Sequence, residues 1–155
     1  MSKVPPAVTG LVPSDQRALR TARRHPKAGT RLHRLVLRLS RGRVNPHIAL
    51  LTTTGRRTGK PRTVPVMYLR DADRVLVVAM NNGFDPQPAW FHNLSADRTA
   101  TIRIGGVASV VRARVVSEAE RADLWPRLVE HQPLWAAFQA HTDRIAPVVE
   151  LALRH

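Results

Sequence analysis

The 155-residue sequence contains no cysteine, which excludes disulfide bonds, thiolate metal ligands and cysteine nucleophiles. The other side chains also form no recognisable catalytic or metal-binding motif. None of the seven histidines stands at the spacing of a zinc site, and neither a serine-nucleophile motif nor a pair of catalytic carboxylates is present. The sequence therefore indicates no metal site and no certain catalytic residue, so a bound cofactor would have to carry any reaction.

Long apolar runs are also missing. No stretch approaches the roughly 20 apolar residues that span a bilayer, and the first residues lack the apolar core of a secretion signal. We therefore expect a cytoplasmic protein. The length indicates one folded domain, predicted at residues 29–155, after a flexible basic segment at residues 1–28.

Acidic residues are scarce, since 11 Asp and Glu stand against 25 Lys and Arg, for a net charge of +14. The excess is concentrated in residues 1–45, where Asp15 is the sole acid, and in a loop at residues 55–62. Such a balance indicates a polyanionic partner: a nucleic acid, an anionic membrane surface or an acidic small molecule. A nucleic acid is disfavoured because the basic segments lack interleaved aromatic residues and any known reader motif.

The basic N-terminal part is predicted to be helical. One helix is expected at residues 15–25, and a second, amphipathic helix runs from residue 30 to about residue 41. Its apolar face can pack on the folded domain and leave its arginines in water. Alternatively, residues 14–43 lie on the inner face of an anionic membrane, as in a peripheral membrane protein, and bring it to lipid-soluble substrates.

The rest of the chain is rich in short β-branched segments that end at turn residues, a pattern typical of strands. Strands are predicted at residues 47–54, 63–69, 74–80, 99–104 and 107–116, and residues 148–153 form either a last strand or an edge segment. Gly105 and Gly106 indicate a tight hairpin. Five or six short strands with few helices predict an α+β fold built on a small antiparallel barrel.

One or two helices are expected to flank this barrel. Ser117 and Glu120 form a capping box that opens a helix running to about residue 130. Pro133 begins a shorter helical segment that ends near Ala140.

The loop at residues 55–62 is the most informative segment. Gly55 and Gly59 allow its backbone N–H groups to approach a ligand, and no acidic residue neutralises its cations. Those cations are Arg56, Arg57, Lys60 and Arg62. We interpret the loop as an anion site in which charge-assisted hydrogen bonds contribute about 1.5–3 kcal/mol each. The alternative is a solvated hairpin tip, and the order of residues does not fit a P-loop.

A second informative segment is residues 81–94. It opens on an Asn-Gly turn, and Pro88 suits the first turn of a short helix. Trp90 and Leu94 lie one helical turn apart and are interpreted as core residues, with a role in a site as the alternative. His92 is interpreted as a hydrogen-bonded structural histidine rather than a general base.

Together these segments resemble a known family. The first motif reads Leu51, Thr52, Thr53, Thr54, Gly55, Arg56, Arg57, Thr58, Gly59, Lys60, Pro61 and Arg62, followed by Val64 and Pro65. The second reads Pro88, Ala89, Trp90, Phe91, His92, Asn93 and Leu94, and the third reads Thr142, Asp143, Arg144, Ile145, Ala146, Pro147, Val148 and Val149. In combination they resemble the deazaflavin-dependent nitroreductases and F420H2-dependent quinone reductases.

The resemblance implies a split β-barrel of the flavin-reductase and FMN-binding type, with coenzyme F420 in place of FMN. This 8-hydroxy-5-deazaflavin carries a phosphate and a tail of glutamates, which matches the anion expected at the basic loop. By similarity, the phosphate and tail would contact Arg56, Arg57, Thr58, Gly59, Lys60 and Arg62, and the ring would contact Val64, Pro65 and Val66. Backbone contacts would come from Val78, Ala79, Met80, Asn81, Asn82 and Gly83, and Trp90 and Asn93 would close the phosphate end.

The reaction implied is hydride transfer from the reduced deazaflavin to a small hydrophobic acceptor, such as a quinone or a nitro compound. The acceptor pocket is expected at Met67, Trp135 and Phe138, where relatives often carry tyrosines. Tyr68, the sole tyrosine, is predicted to face away from Met67 because neighbouring strand residues alternate. This apolar pocket favours flat quinones over nitroimidazoles.

Two alternatives to this oxidoreductase stay open at this point. One is a non-catalytic protein that binds coenzyme F420, and the other is a relative that uses FMN. Both a monomer and a homodimer fit the sequence.

Overall fold

The computed structural model describes residues 46–83 and 86–154, apart from the side chain of Asn82. The two basic helices predicted before residue 45, the flexible segment at residues 1–28 and the membrane-binding segment at residues 14–43 lie outside the described residues. Within the described part, no helix combines the length and the apolarity needed to cross a bilayer.

The described residues form a curled sheet of seven strands, all paired antiparallel. The strands are β1 (Ile48–Thr54), β2 (Pro61–Met67), β3 (Leu69–Asp71), β4 (Arg74–Val78), β5 (Thr99–Ile104), β6 (Val107–Val115) and β7 (Val148–Leu153). Their order across the sheet is β2-β1-β5-β6-β7-β4-β3. In the described part of the chain, three helices accompany the sheet: α1 (Ala89–Ala96), α2 (Glu118–His131) and α3 (Pro133–Gln139). A 3-10 turn, Asn81–Gly83, follows β4.

Two hydrophobic clusters lie on the two faces of the sheet. The inner cluster holds Trp90 and Leu94 of α1 against the concave face, and the outer cluster holds Trp135 and Phe138 of α3 together with Leu128 of α2. Strand β4 contributes to both clusters in alternation, because successive side chains point to opposite faces. Its uninterrupted apolar sequence therefore reflects burial on both sides.

The structure corrects the predicted strand at residues 63–69. That segment is two strands, β2 and β3, separated at Tyr68, because β2 pairs with β1 while β3 pairs with β4. These two strands form the opposite edges of the sheet, so the chain crosses the opening of the barrel at Tyr68. The sheet accordingly has seven strands rather than the expected five or six.

Other boundaries also differ from the predictions. The strand expected at residues 74–80 ends at Val78. The Ala79 N–H still donates to the Pro147 carbonyl at 2.9 Å, in register with the β4–β7 pairing, but proline has no N–H to return the bond. Strand β7 lies between β6 and β4, so the alternative of an edge segment is wrong. The hairpin at Gly105 and Gly106 is confirmed, with φ angles of 56° and 90° that glycine adopts without strain.

A network of ion pairs crosses the sheet from α2 to the β3–β4 hairpin. Arg114 contacts Glu120 at 2.8 Å and Glu150 at 2.7 Å, and Arg74 contacts both Glu150 and Asp71 at 2.8 Å. The predicted capping box is confirmed, since the Ser117 N–H donates to Glu120 at 2.9 Å and the Glu120 N–H donates to the Ser117 hydroxyl. The hydrogen bond from Arg114, followed by that from Ser117, lowers the pKa of Glu120 from 4.5 to about 2.

We expect a Glu120→Gln substitution to lower the melting temperature by roughly 1–2 °C at neutral pH. Because the pKa of Glu120 is lower in the folded protein than its usual 4.5, its stabilising effect is complete above pH 4.5 and is lost as the pH falls toward 2. Glutamine preserves the capping box but not the charge. Thermal melts of both proteins between pH 7 and pH 2 should therefore converge at the acid end, and a constant gap would contradict this origin.

Candidate functional site

The candidate site centres on the cationic loop, defined as residues 55–62, which comprise the turn after β1 and the first two residues of β2. Two backbone hydrogen bonds close it, from Gly55 N–H to the Lys60 carbonyl at 2.8 Å and from Gly59 N–H to the Gly55 carbonyl at 2.7 Å. Gly59 has a φ of 68°, which favours glycine. A Cβ atom at Gly55 would lie 2.8 Å from the Thr58 hydroxyl and 3.1 Å from the Lys60 carbonyl, so this position also requires glycine.

The charges of the cationic loop are not neutralised by the rest of the described chain. Its four cationic side chains are exposed and form no ion pair with any described residue. Arg74 and Arg114, by contrast, each contact two carboxylates. The N–H groups of Arg57 and Thr58 also donate to no described residue. The loop therefore presents both charge and backbone donors to an anion.

Asn93 of α1 connects the cationic loop to the sheet. Its side-chain carbonyl accepts from the Arg56 N–H at 3.1 Å, and its amide donates to the Thr53 hydroxyl at 3.0 Å. Asn93 is 6% exposed and Thr53 is 2% exposed, so water does not replace these bonds. The structure thus brings the predicted residues Asn93 and Arg56 together, and Asn93 fixes where the loop begins.

The other α1 residues are placed as follows. Trp90 and Leu94 lie in the inner cluster, as their core interpretation predicted. His92 is half-buried and its ring meets that of Phe91 edge-on at 6.1 Å. Its ring forms no hydrogen bond to another described residue, and the hydrogen-bonded role of His92 stays a prediction.

Strand β2 presents its residues alternately to the two clusters. Val64 and Val66 pack in the inner cluster, whereas Met67 packs against the outer one. Tyr68 contacts the inner cluster, which confirms that it faces away from Met67. Its hydroxyl donates to the Pro46 carbonyl at 2.8 Å.

Residues 78–83 leave β4 in a tightly bonded turn. Val78, Ala79 and Met80 are buried, and the N–H groups of Ala79, Met80 and Gly83 already donate to carbonyls of the protein. Asn81 is exposed and has a φ of 48°, and its amide donates to the Pro86 carbonyl at 2.8 Å. Three of the backbone groups predicted to contact a cofactor are therefore engaged within the protein.

Arg144 is a residue at this site whose role was not predicted from the sequence. Its guanidinium donates to the carbonyls of Ala79 at 2.9 Å and Met80 at 3.1 Å, and to the side chain of Gln87 at 2.8 Å. The signal for it was its place in the third motif, but the pattern could not indicate which backbone atoms it reaches. Arg144 thus links the end of β4 to the segment before α1.

The predicted acceptor residues Met67, Trp135 and Phe138 belong to one cluster. Trp135 is 1% exposed and Phe138 is 3% exposed, whereas Met67 is half-buried. Met67 is thus the member of the three that offers surface to a small molecule. The described residues contain no group of three or more His, Asp and Glu side chains that could hold a metal ion.

Comparison with known proteins agrees with this architecture. Residues 23–152 match the family described as F420H(2)-dependent quinone reductase. An F420H(2)-dependent quinone reductase of Mycobacterium tuberculosis is 35% identical over 133 residues, which cover 80% of this chain and 89% of the relative.

Solved structures are similar as well. The structure of an F420-H2 dependent reductase has 34% sequence identity and a TM-score of 0.62, with 68% of this chain and 93% of that chain covered. A structure described as a domain-swapped dimer has 30% identity and a TM-score of 0.65, with 77% of this chain and 94% of that chain covered. The split-barrel fold expected from the sequence is confirmed. The chain belongs to the F420H(2)-dependent quinone reductase family.

Proposed function

We propose that this protein is an oxidoreductase that uses reduced coenzyme F420 to reduce quinones, the activity that names its family. The observation that carries the proposal is the cationic loop, whose exposed charges have no partner among the described residues. A cofactor with a phosphate and a glutamate tail supplies the missing negative charge. When bound, the reduced deazaflavin supplies the hydride.

The residues present fit such a cofactor. The loop offers four cations, the N–H groups of Arg57 and Thr58, which donate to no described residue, and a start held by Asn93. We assign the anionic end of the cofactor to this loop, and its ring to the region between β2 and residues 78–83. The chain's own contribution is to hold the donor against the acceptor at about 3–3.5 Å and to exclude water.

Fluorescence of the cofactor tests the first part of the proposal. The fluorescence of coenzyme F420 should be quenched when the coenzyme binds to the full chain, and excess FMN should not displace the bound coenzyme. Displacement by FMN would favour the relative that uses FMN, and absence of quenching would remove the proposed function. Steady oxidation of the reduced cofactor by menadione then separates an enzyme from a binding protein.

The acceptor is proposed to be a flat apolar molecule. Among the three predicted acceptor residues, Met67 has an accessible side chain. Tyr68 is the sole tyrosine in the chain, and its hydroxyl donates to the Pro46 carbonyl on the opposite face of the sheet from Met67. No tyrosine is therefore available near Met67 to donate a proton to a nitro group. We expect kcat/KM to be higher for menadione than for a nitroimidazole, as measured by oxidation of the reduced cofactor. Faster turnover of the nitroimidazole would contradict this acceptor class.

A peripheral membrane location is proposed from the sequence of residues 14–43 alone. Each cation near an anionic surface contributes about 1 kcal/mol, and such binding weakens with salt. We expect the full chain to co-sediment with anionic liposomes at low salt, and a chain that lacks residues 1–28 to bind them less. Equal binding by the two chains would remove the proposal.

A further inference from the structure

We propose that Arg144 is a positioning residue that holds residues 79–83 in the conformation that receives the cofactor. The inference rests on the proposed function, since it assigns that segment to the cofactor site. Arg144 would thus support cofactor binding without touching the cofactor itself.

The geometry of the guanidinium carries the first step. Among the described residues, the Arg144 guanidinium reaches three acceptors on two separate segments, namely the carbonyls of Ala79 and Met80 and the side chain of Gln87. Gln87 directly precedes Pro88 and α1, which carries Asn93. One planar group with several fixed donors therefore sets the end of β4 relative to the helix that fixes the cationic loop.

Arg144 is itself held in place from the opposite side. The Gln139 side-chain N–H donates to the Arg144 carbonyl at 2.7 Å. The side-chain oxygen of Gln139 accepts from the Ala146 N–H at 3.0 Å and from the Arg121 guanidinium at 3.2 Å. Arg121 also donates to the Ala146 carbonyl at 2.9 Å. A continuous set of hydrogen bonds thus runs from α2 and α3, through residues 144–146, to the turn after β4.

The turn needs such support. Met80 is 4% exposed, and Asn81 adopts a positive φ that few residues other than glycine and asparagine adopt. Ala79 is 0% exposed, and its carbonyl accepts a hydrogen bond from the Arg144 guanidinium. Without Arg144 this buried carbonyl would lose that donor. A lysine retains the charge but not the planar fork, so it cannot satisfy all three acceptors in this geometry.

The test compares Arg144→Lys with Arg74→Lys as a matched control. Arg74 also makes three side-chain hydrogen bonds, to Asp71 and Glu150, but it lies at the opposite end of β4. Three quantities are measured: the Kd for coenzyme F420 by fluorescence quenching, amide hydrogen exchange of residues 79–83 in the cofactor-free protein, and the melting temperature.

We expect Arg144→Lys to raise the Kd by about tenfold and to speed exchange of residues 79–83. Arg74→Lys should lower the melting temperature without either effect. Equal Kd values and equal exchange in the two variants would overturn the inference. If Arg144→Lys does not fold, Gln87→Leu is tested instead, since that substitution removes one of the three acceptors of Arg144. A smaller rise in Kd together with faster exchange of residues 79–83 would support the inference. The absence of both effects would overturn the inference.

Failure of the proposed function has a different signature. If the unsubstituted protein does not bind coenzyme F420, the proposed function fails and the assignment of residues 79–83 to a cofactor fails with it. Hydrogen exchange in the cofactor-free protein still reports whether Arg144 holds the turn. Binding by the unsubstituted protein, with unchanged binding and exchange in Arg144→Lys, overturns the positioning role alone.

Discussion

Replacing Arg57 and Lys60 together with glutamine is expected to raise the dissociation constant for coenzyme F420 by about 100-fold at low salt. Both side chains are exposed and without an ion-pair partner in the described structure, so each should contribute about 1.4 kcal/mol to binding an anion after solvent screening. Neither side chain is buried in a cluster, so the melting temperature should hardly change. Titration of cofactor fluorescence measures the effect.

The matched control removes the same charge elsewhere. Arg70 and Arg112 are also exposed and form no ion pair with described residues, but they lie on β3 and β6 rather than in the cationic loop. Their replacement with glutamine should leave the dissociation constant nearly unchanged. The loss in the loop variant should also shrink as salt is raised, since screening weakens the contribution that was removed. Equal losses of F420 affinity in the two double variants would indicate that the overall positive charge of the protein attracts the cofactor, rather than a site in the cationic loop.

The cationic loop was predictable because all of its signals are local. Gly55 and Gly59 lie within it, its four cations lie within seven positions, and the flanking segments are short, β-branched and bounded by turn residues. The hairpin at residues 105–106 and the capping box at Ser117 were predictable for the same reason. Each depends on side chains that are at most a few positions apart.

Long-range placement could not be predicted in this way. The break at Tyr68 exists because β2 and β3 pair with different strands, and no local turn residue marks it. Arg144 reaches carbonyls more than 60 positions away, and any arginine in a loop has the same local pattern. Trp135 and Phe138 follow a helical spacing that fits a core as well as a pocket, and only their burial distinguishes the two.

Asn93→Ala is expected to lower the free energy of unfolding by about 2 kcal/mol and to weaken F420 binding at the same time. The substitution removes the acceptor of the Arg56 N–H and the donor to the Thr53 hydroxyl. Thr53 is 2% exposed, so its hydroxyl would remain buried without this partner, which is the costly case. Thermal and denaturant unfolding measure the stability change, and fluorescence quenching measures the binding.

Ser95→Ala provides the control on the same helix. The Ser95 hydroxyl is exposed and donates to the Phe91 carbonyl at 3.0 Å, so its removal should change stability by no more than about 0.5 kcal/mol and leave binding intact. The two losses at Asn93 come from one side chain that both stabilises the fold and sets the start of the loop. A stability loss with unchanged F420 affinity would show that Asn93 supports α1 alone, and that the loop keeps its binding conformation through its own glycine turns.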